Sequence, residues 1–297
     1  MKNERLSTGI QKLDEYLGGG LFPGAMTVIV GSSGIGKTQL GIQFASAGLT
    51  QEKKRGIIFD MSTRMDAQGH EAYARRLTGW EIRPHAENNL IPYDYFFEPE
   101  NQPGDYFRPF SYSGRRVTRQ DMDFFDWNDW KAEITKHLTA TISFAYGNFI
   151  RGVRRFIVDG IEPVTHQGDS IQFELLEYIY HQILRKDADW VARDLFRQLY
   201  LQHETQIHSH MYDKNNIGCM VLYTSPETSL DAIIEKPLDE GDLLAGANTI
   251  IYMGKIREGV KFRRAMYVAK HRGSICPDEI LPYEIRENGI FLSDTDH

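Results

Sequence analysis

The sequence predicts an α/β protein, and three observations carry that prediction. The segment Gly31-Ser32-Ser33-Gly34-Ile35-Gly36-Lys37-Thr38 fits G-x-x-x-x-G-K-[ST] at every fixed position, between an apolar strand-like run, Met26 to Val30, and a helix-like stretch, Gln39 to Ala45. Beyond it, short apolar runs alternate with helical periodicities over most of the chain, as repeated β-α units do. The composition is that of a folded protein: of 297 residues, 41% are hydrophobic and 25% charged.

Length alone allows one large domain or two small ones, and the order of the motifs favours one domain over 1–297. The net charge of −7 argues against a surface wholly adapted to the nucleic-acid backbone. Cys219 and Cys276 stand far apart, so neither a disulfide framework nor a cysteine zinc site is indicated, and a reducing cytoplasm is the expected setting. There is no apolar run of about 18 residues, so no membrane span is expected.

The central loop carries the chemistry. Its glycines let backbone NH groups turn inward around phosphate oxygens, and the following helix adds the positive end of its dipole. Gly31, Ser32, Ser33, Gly34, Ile35 and Gly36 form the expected phosphate cradle, Lys37 reaches the β and γ phosphates, and Thr38 ligates Mg²⁺ through its hydroxyl. ATP and Mg²⁺ are therefore the expected ligands.

Taken in order, Ile10, Leu13 and Leu17 predict a short N-terminal helix behind a Ser7 or Thr8 cap, ended by Gly18-Gly19-Gly20. A turn through Pro23-Gly24 feeds the P-loop strand. Gly56 to Met61 reads as a second buried strand whose end, Ser62-Thr63-Arg64, lies beside the P-loop, and Asp66 to Leu77 reads as a helix. Leu90 to Phe97 is expected to supply a third, edge strand. Glu98 to Trp130, rich in breakers and aromatics, reads as an inserted loop or lid, followed by a helix over 131–150. Arg155-Phe156-Ile157-Val158-Asp159 has the form of a Walker B strand whose Asp159 helps hold Mg²⁺. Helices over 171–184 and 190–206, a strand over 219–223, and a strand pair over 249–253 and 264–270 complete the expected sheet.

These residues resemble the KaiC-like branch of the RecA superfamily of ATPases. The resemblance rests on Ser7-Thr8-Gly9-Ile10, Leu13-Asp14, Gly18-Gly19-Gly20, the P-loop, Gln43-Phe44, the Asp159 strand and Lys270-His271-Arg272-Gly273-Ser274. Tyr283-Glu284-Ile285 and Asn288-Gly289-Ile290 are similar to the family's closing strands. Together they span nearly the whole chain, interrupted near 99–130 and 165–190. The resemblance implies a doubly wound, mostly parallel RecA-like sheet with helices on both faces and ATP at its C-terminal edge. It also implies a ring or other head-to-tail oligomer, in which Lys270 and Arg272 contact the γ-phosphate bound by the neighbouring subunit.

One departure bears on turnover. Family members carry water-orienting acids at the end of the second strand, where this chain has Ser62 and Thr63. Slow hydrolysis is the expectation, with Asp60, Asp66 or Glu162 as substitute bases. Two further constellations have bland readings that outweigh the sharp ones. His203, His208 and His210 with Glu204 match no metal-ligand spacing, and a polar helix end accounts for them. Arg151, Arg154 and Arg155 with Arg115, Arg116 and Arg119 would make a basic patch for single-stranded nucleic acid, a reading the acidic balance disfavours. The leading expectation is an ATP-binding regulatory or switch protein with an unknown protein partner; a nucleic-acid-binding recombination or repair accessory is the alternative.

Overall fold

The computed structural model of the chain describes residues 4–62, 69–85, 93–110, 123, 138–163, 170–236, 238, 242–274 and 276–293. Its centre is a nine-stranded sheet in the order β3-β2-β4-β5-β1-β6-β7-β8-β9. The strands are β1 (Met26–Gly31), β2 (Ile57–Asp60), β3 (Tyr106–Phe107), β4 (Arg155–Ile161), β5 (Gly218–Thr224), β6 (Thr249–Glu258), β7 (Lys261–His271), β8 (Ile280–Arg286) and β9 (Gly289–Leu292). β3, β2, β4, β5, β1 and β6 run parallel; β7, β8 and β9 extend the sheet as an antiparallel meander.

The apolar runs are buried on both sides, and the two-residue period divides each strand between two cores. Val28, Phe156, Val158 and Val221 point to one face, where helices α4 (138–149), α5 (Ile171–Tyr178), α6 (Ala188–Phe196) and α7 (Tyr200–Ser209) pack. Ile29, Ile157, Met220 and Leu222 point to the other, under α1 (Gln11–Tyr16), α2 (Lys37–Gln51) and α3 (His70–Thr78). A last helix, α8 (Leu230–Glu235), leads towards β6. This is the doubly wound, mostly parallel α/β arrangement that the sequence predicts. Among the described residues no helix is long and apolar enough to cross a membrane.

Several local expectations change. Ser7 and Thr8 do not cap α1, whose N-cap is Ile10; the Asp14 carboxylate instead accepts from the Thr8 amide at 2.6 Å, the Thr8 hydroxyl at 2.7 Å and the Ser7 hydroxyl at 2.5 Å. The motif therefore ties the incoming chain to the first helix. The strand expected over 90–97 is absent where it is described: Tyr93–Phe96 is a 3-10 turn, and residues 90–92 lie outside the described set. The neighbour of β2 is β3, from the stretch read as a lid, because Phe107 buries its ring against Phe59 and Phe144. The helix expected over 190–206 is two, since Arg197 adopts φ 47° and breaks the run between α6 and α7. The helix over 171–184 finishes as a π-turn, Ile179–Leu184. Of the aromatics expected in the insertion, Tyr112, Phe124, Phe125 and Trp127 lie outside the described residues.

Candidate functional site

The C-terminal ends of the parallel strands converge on the P-loop. β1 ends at Gly31, and α2 begins at Lys37 with Gly36 as its N-cap at φ 115°, a left-handed conformation suited to glycine. This turns the loop's backbone back on itself and aims the start of α2 at the space above β1. The Lys37 side chain lies along the loop, and Nζ donates to the carbonyls of Gly31 at 2.8 Å and Ser32 at 2.9 Å. Burial pushes its ammonium down to about 8, with Asp159 acting in the opposite sense. A desolvated cation resting on neutral carbonyls gains from a phosphate oxygen that replaces them.

Two strands away, Asp159 reaches the same place. β4 and β5 lose register between Val158 and Ile161, and Gly160 takes φ 84° with its Cα so near β2 that an added Cβ would lie 2.4 Å from the Ser62 nitrogen. The irregularity aims the carboxylate towards α2. Asp159 Oδ2 accepts from the Thr38 hydroxyl at 2.7 Å, and Oδ1 from the Gly160 amide at 2.6 Å. The hydroxyl and carboxylate oxygens are a hard-donor pair suited to Mg²⁺ when phosphate oxygens complete the shell.

His70, at the start of α3, is the site residue that sequence reading missed. Its Nε2 lies 2.9 Å from Asp159 Oδ2 and its Nδ1 lies 3.5 Å from Asp60 Oδ2, so one imidazole joins the two carboxylates. Burial works against the charged ring, but Asp159 and Asp60 outweigh it and hold the His70 pKa above its ordinary value. Asp159, by contrast, is held below its ordinary value: desolvation opposes its ionisation, and His70, Thr38 and Lys37 more than reverse that. No spacing in the sequence links His70 to Asp159; the contact arises because β2, which leads towards α3, lies beside β4 in the sheet.

The other candidates are placed as follows. Asp60 is buried and already engaged, accepting from the Ser62 amide at 2.9 Å and from the Tyr106 hydroxyl at 2.5 Å. Glu162 follows β4, its amide bonded to Gln172 Oε1 at 3.0 Å, and Gln172 also donates to the carbonyls of Met61 and Gly160. Asp66 and Thr63 lie outside the described residues. Lys270 and Arg272 lie at the opposite end of the sheet: Gly31 is level with Met253 and Met266, whereas Thr27 is level with Thr249 and His271. That offset of four residues is ~13 Å at about 3.3 Å per residue, so neither cation is beside its own chain's P-loop. A register shift between Ile250 and Ile251 also disturbs the simple alternation expected along β7. Lys270 Nζ donates to the Ala245 carbonyl at 2.7 Å.

The arginines read together as a patch are dispersed. Arg155 is buried against Glu52, Arg154 donates to the Asn216 carbonyl and Arg151 to main-chain carbonyls; Arg115, Arg116 and Arg119 lie outside the described residues. Among the described residues no group of three His, Cys, Asp or Glu side chains is arranged to hold a metal, and His203 instead stacks on Phe97.

A phosphate-cradling loop between a central parallel strand and a helix, with an acid two strands away reaching the same loop, places the fold in the P-loop class of α/β proteins. Within that class, the family model for the KaiC ATPase matches residues 6–173, more than half of the chain, and the chain belongs to that family. The circadian clock oscillator protein KaiC of Prochlorococcus marinus subsp. pastoris is 22% identical over 296 residues, 98% of this chain and 45% of that protein. The DNA repair protein RadA of Listeria monocytogenes is 32% identical over 87 residues, 29% of this chain and 19% of that protein. The chain thus spans less than half the length of either relative. A KaiC-like protein from Pyrococcus horikoshii has the same fold, with a TM-score of 0.50 at 14% identity, covering 98% of this chain and 99% of that one.

Proposed function

We propose that the chain is a single KaiC-like unit, with insertions near 99–130 and 165–190, that binds ATP with Mg²⁺ at the P-loop and works as a nucleotide-dependent regulatory or switch protein. The observation that carries this reading is the convergence of Lys37 Nζ, the Thr38 hydroxyl and the Asp159 carboxylate on one loop, with Thr38 and Asp159 2.7 Å apart. Lys37 and the backbone amides of 32–38 bind and orient the phosphates, and Thr38 with Asp159 hold the metal. The metal would neutralise charge shared by the β and γ phosphates.

Hydrolysis is slow in this reading because the carboxylates near the phosphate position, Asp60 and Asp159, already hold His70, Tyr106 and Thr38. Of the other bases named from sequence, Glu162 directly follows β4 and Asp66 lies outside the described residues. The placement of Lys270 and Arg272 away from their own P-loop supports their action on a neighbouring subunit's nucleotide, and hence a head-to-tail assembly. Calorimetry of ATP binding with Mg²⁺ tests the core of the proposal: Lys37→Ala should weaken binding beyond detection, and unchanged affinity would overturn it. The likeness to RadA favours a second reading, a recombination or repair accessory. Salt-dependent retention on single-stranded DNA would select that one.

A further inference from the structure

At the far end of α2 from the P-loop, a cleft of about 480 Å³ opens between the α2-to-β2 turn, the residues after α3 and the segment before β3. The helix has 15 residues, so at about 1.5 Å per residue the cleft lies roughly 22 Å from Lys37. Its size is in the range of small-molecule sites, about 300–1,000 Å³.

The charge of its lining is opposite to that of the protein. Lys53, Lys54, Arg55, Arg83 and Arg151 face Glu81 and Asp105, five cations against two acids and so a formal +3, whereas the chain carries −7. Both acids are already committed. Glu81 takes a two-point contact from Arg75 at 2.9 Å, and Asp105 accepts from the Trp80 indole at 3.2 Å and from the Arg83 amide at 2.6 Å. Among the described residues, Lys53, Lys54, Arg55 and Arg151 have no carboxylate partner. Arg151 donates only to the carbonyls of Gly147, Tyr95, Glu98 and Asn101, which fix the guanidinium in place without neutralising it.

The backbone gives an independent indication. Lys53 follows the C-cap of α2 and adopts φ 63°, the left-handed conformation that such positions usually reserve for glycine. The chain nevertheless places a cation at that point and two more directly after it.

We propose that this cleft is a second ligand site, for a small phosphate-bearing anion of two or more charges. Lys53 and Lys54 would supply mobile ammonium groups, and Arg55 and Arg151 the more fixed guanidinium donors. Trp80 is buried beneath Arg55 and supports it instead of offering a stacking face.

The test uses the full chain carrying Lys37→Ala, which silences the P-loop, beside the wild type, with inorganic tripolyphosphate as the probe. Mass-spectrometric acetylation footprinting reads each lysine separately. Tripolyphosphate should slow acetylation of Lys53 and Lys54 several-fold in both proteins while leaving the exposed Lys261 unchanged. Lys54→Glu with Arg55→Glu should weaken calorimetric binding at least tenfold in the Lys37→Ala background, and the milder Lys54→Gln with Arg55→Gln should weaken it in the same direction. Absence of protection, or equal protection of Lys261, would overturn the proposal. So would protection by a deca-glutamate peptide or a single-stranded oligonucleotide but not by tripolyphosphate, which would assign the cleft to a macromolecule. Loss of ATP binding in Lys37→Ala with retained protection at Lys53 and Lys54 keeps this site separate from the P-loop reading.

Discussion

His85 should make the protein acid-sensitive in a way that one substitution removes. Its side chain is buried at 5% exposure, packs against Phe107 and Phe144 with ring centroids at 5.5 and 5.3 Å, and leaves Nε2 without a hydrogen-bond partner. Desolvation pushes its pKa down from 6.5 to about 4. The unfolded chain therefore takes up a proton near pH 6.5 that the folded chain refuses until near pH 4, and stability falls as pH is lowered through that window. Linkage between those two values gives a loss of about 2 kcal/mol at pH 5 and about 3 kcal/mol at pH 4 relative to neutral pH. His85→Phe keeps a ring of similar shape without an unpaired nitrogen, so it should be near neutral at pH 7 and lack this contribution at pH 5; His85→Leu should flatten the slope likewise. Urea unfolding followed by circular dichroism at pH 7, 6 and 5 measures the difference. If both variants lose stability between pH 7 and 5 as steeply as the wild type, the assignment of a neutral buried imidazole is wrong.

Arg155→Met should cost about 3–5 kcal/mol in urea unfolding, because it strands the buried Glu52 carboxylate that Arg155 holds at 2.8 and 2.9 Å, and adding Glu52→Gln should recover part of the loss. His70→Ala should destabilise the nucleotide-free protein more at pH 6 than at pH 8.5. A folded-state pKa raised above 6.5 gives stability fully present below 6.5 and lost as pH rises through the folded value, so an equal cost at both pH values would contradict a charged His70. Mixing a Lys37→Ala chain with a Lys270→Ala and Arg272→Ala chain should restore ATPase activity that neither has alone, and a strictly monomeric protein in the presence of ATP, by light scattering, would remove the basis for that complementation.

The P-loop was legible because its chemistry is local: one eight-residue stretch holds the cradle, the cation and the metal-ligating hydroxyl. The strand ending in Asp159 was legible for a related reason, since a buried apolar run must stop where its side chains meet the phosphate. Features that depend on chain crossing were not. β3 is two residues long and lies in a stretch dense with proline and glycine, so periodicity had nothing to register; its place is set by Phe107 in the core and by the Ile58 amide bonding to the Asp105 carbonyl at 2.9 Å. His70 sits next to a glycine at a helix start, where histidine is ordinary, and its meaning comes from Asp60 and Asp159, which lie on two different strands. Arg155 read as part of a basic surface because neighbours in sequence resemble a patch. In a strand, successive side chains face opposite ways, and this one turns inward to Glu52, Phe44 and the N-terminal segment.

The state of the two site carboxylates bears directly on what kind of ATPase this chain can be. A base that activates water must hold a free lone pair beside the phosphate, whereas Asp60 spends its oxygens on the Ser62 amide and the Tyr106 hydroxyl and lies 3.5 Å from His70. Asp159 spends its own on Gly160, Thr38 and His70, and a metal held by Oδ2 in the proposed reading would take the place of the short His70 contact. That exchange would surrender a charge-assisted hydrogen bond worth about 1.5–3 kcal/mol, which would lower the advantage of the bound state over the free one. Binding would thereby be coupled to a change at the start of α3, because His70 is its first residue and leaves Asp159 only by moving that helix end or its own rotamer. In the proposed reading, seating a metal would displace His70 while the nearest carboxylates stay occupied, so nucleotide binding would be converted into conformation more readily than into turnover, as the proposed switch requires.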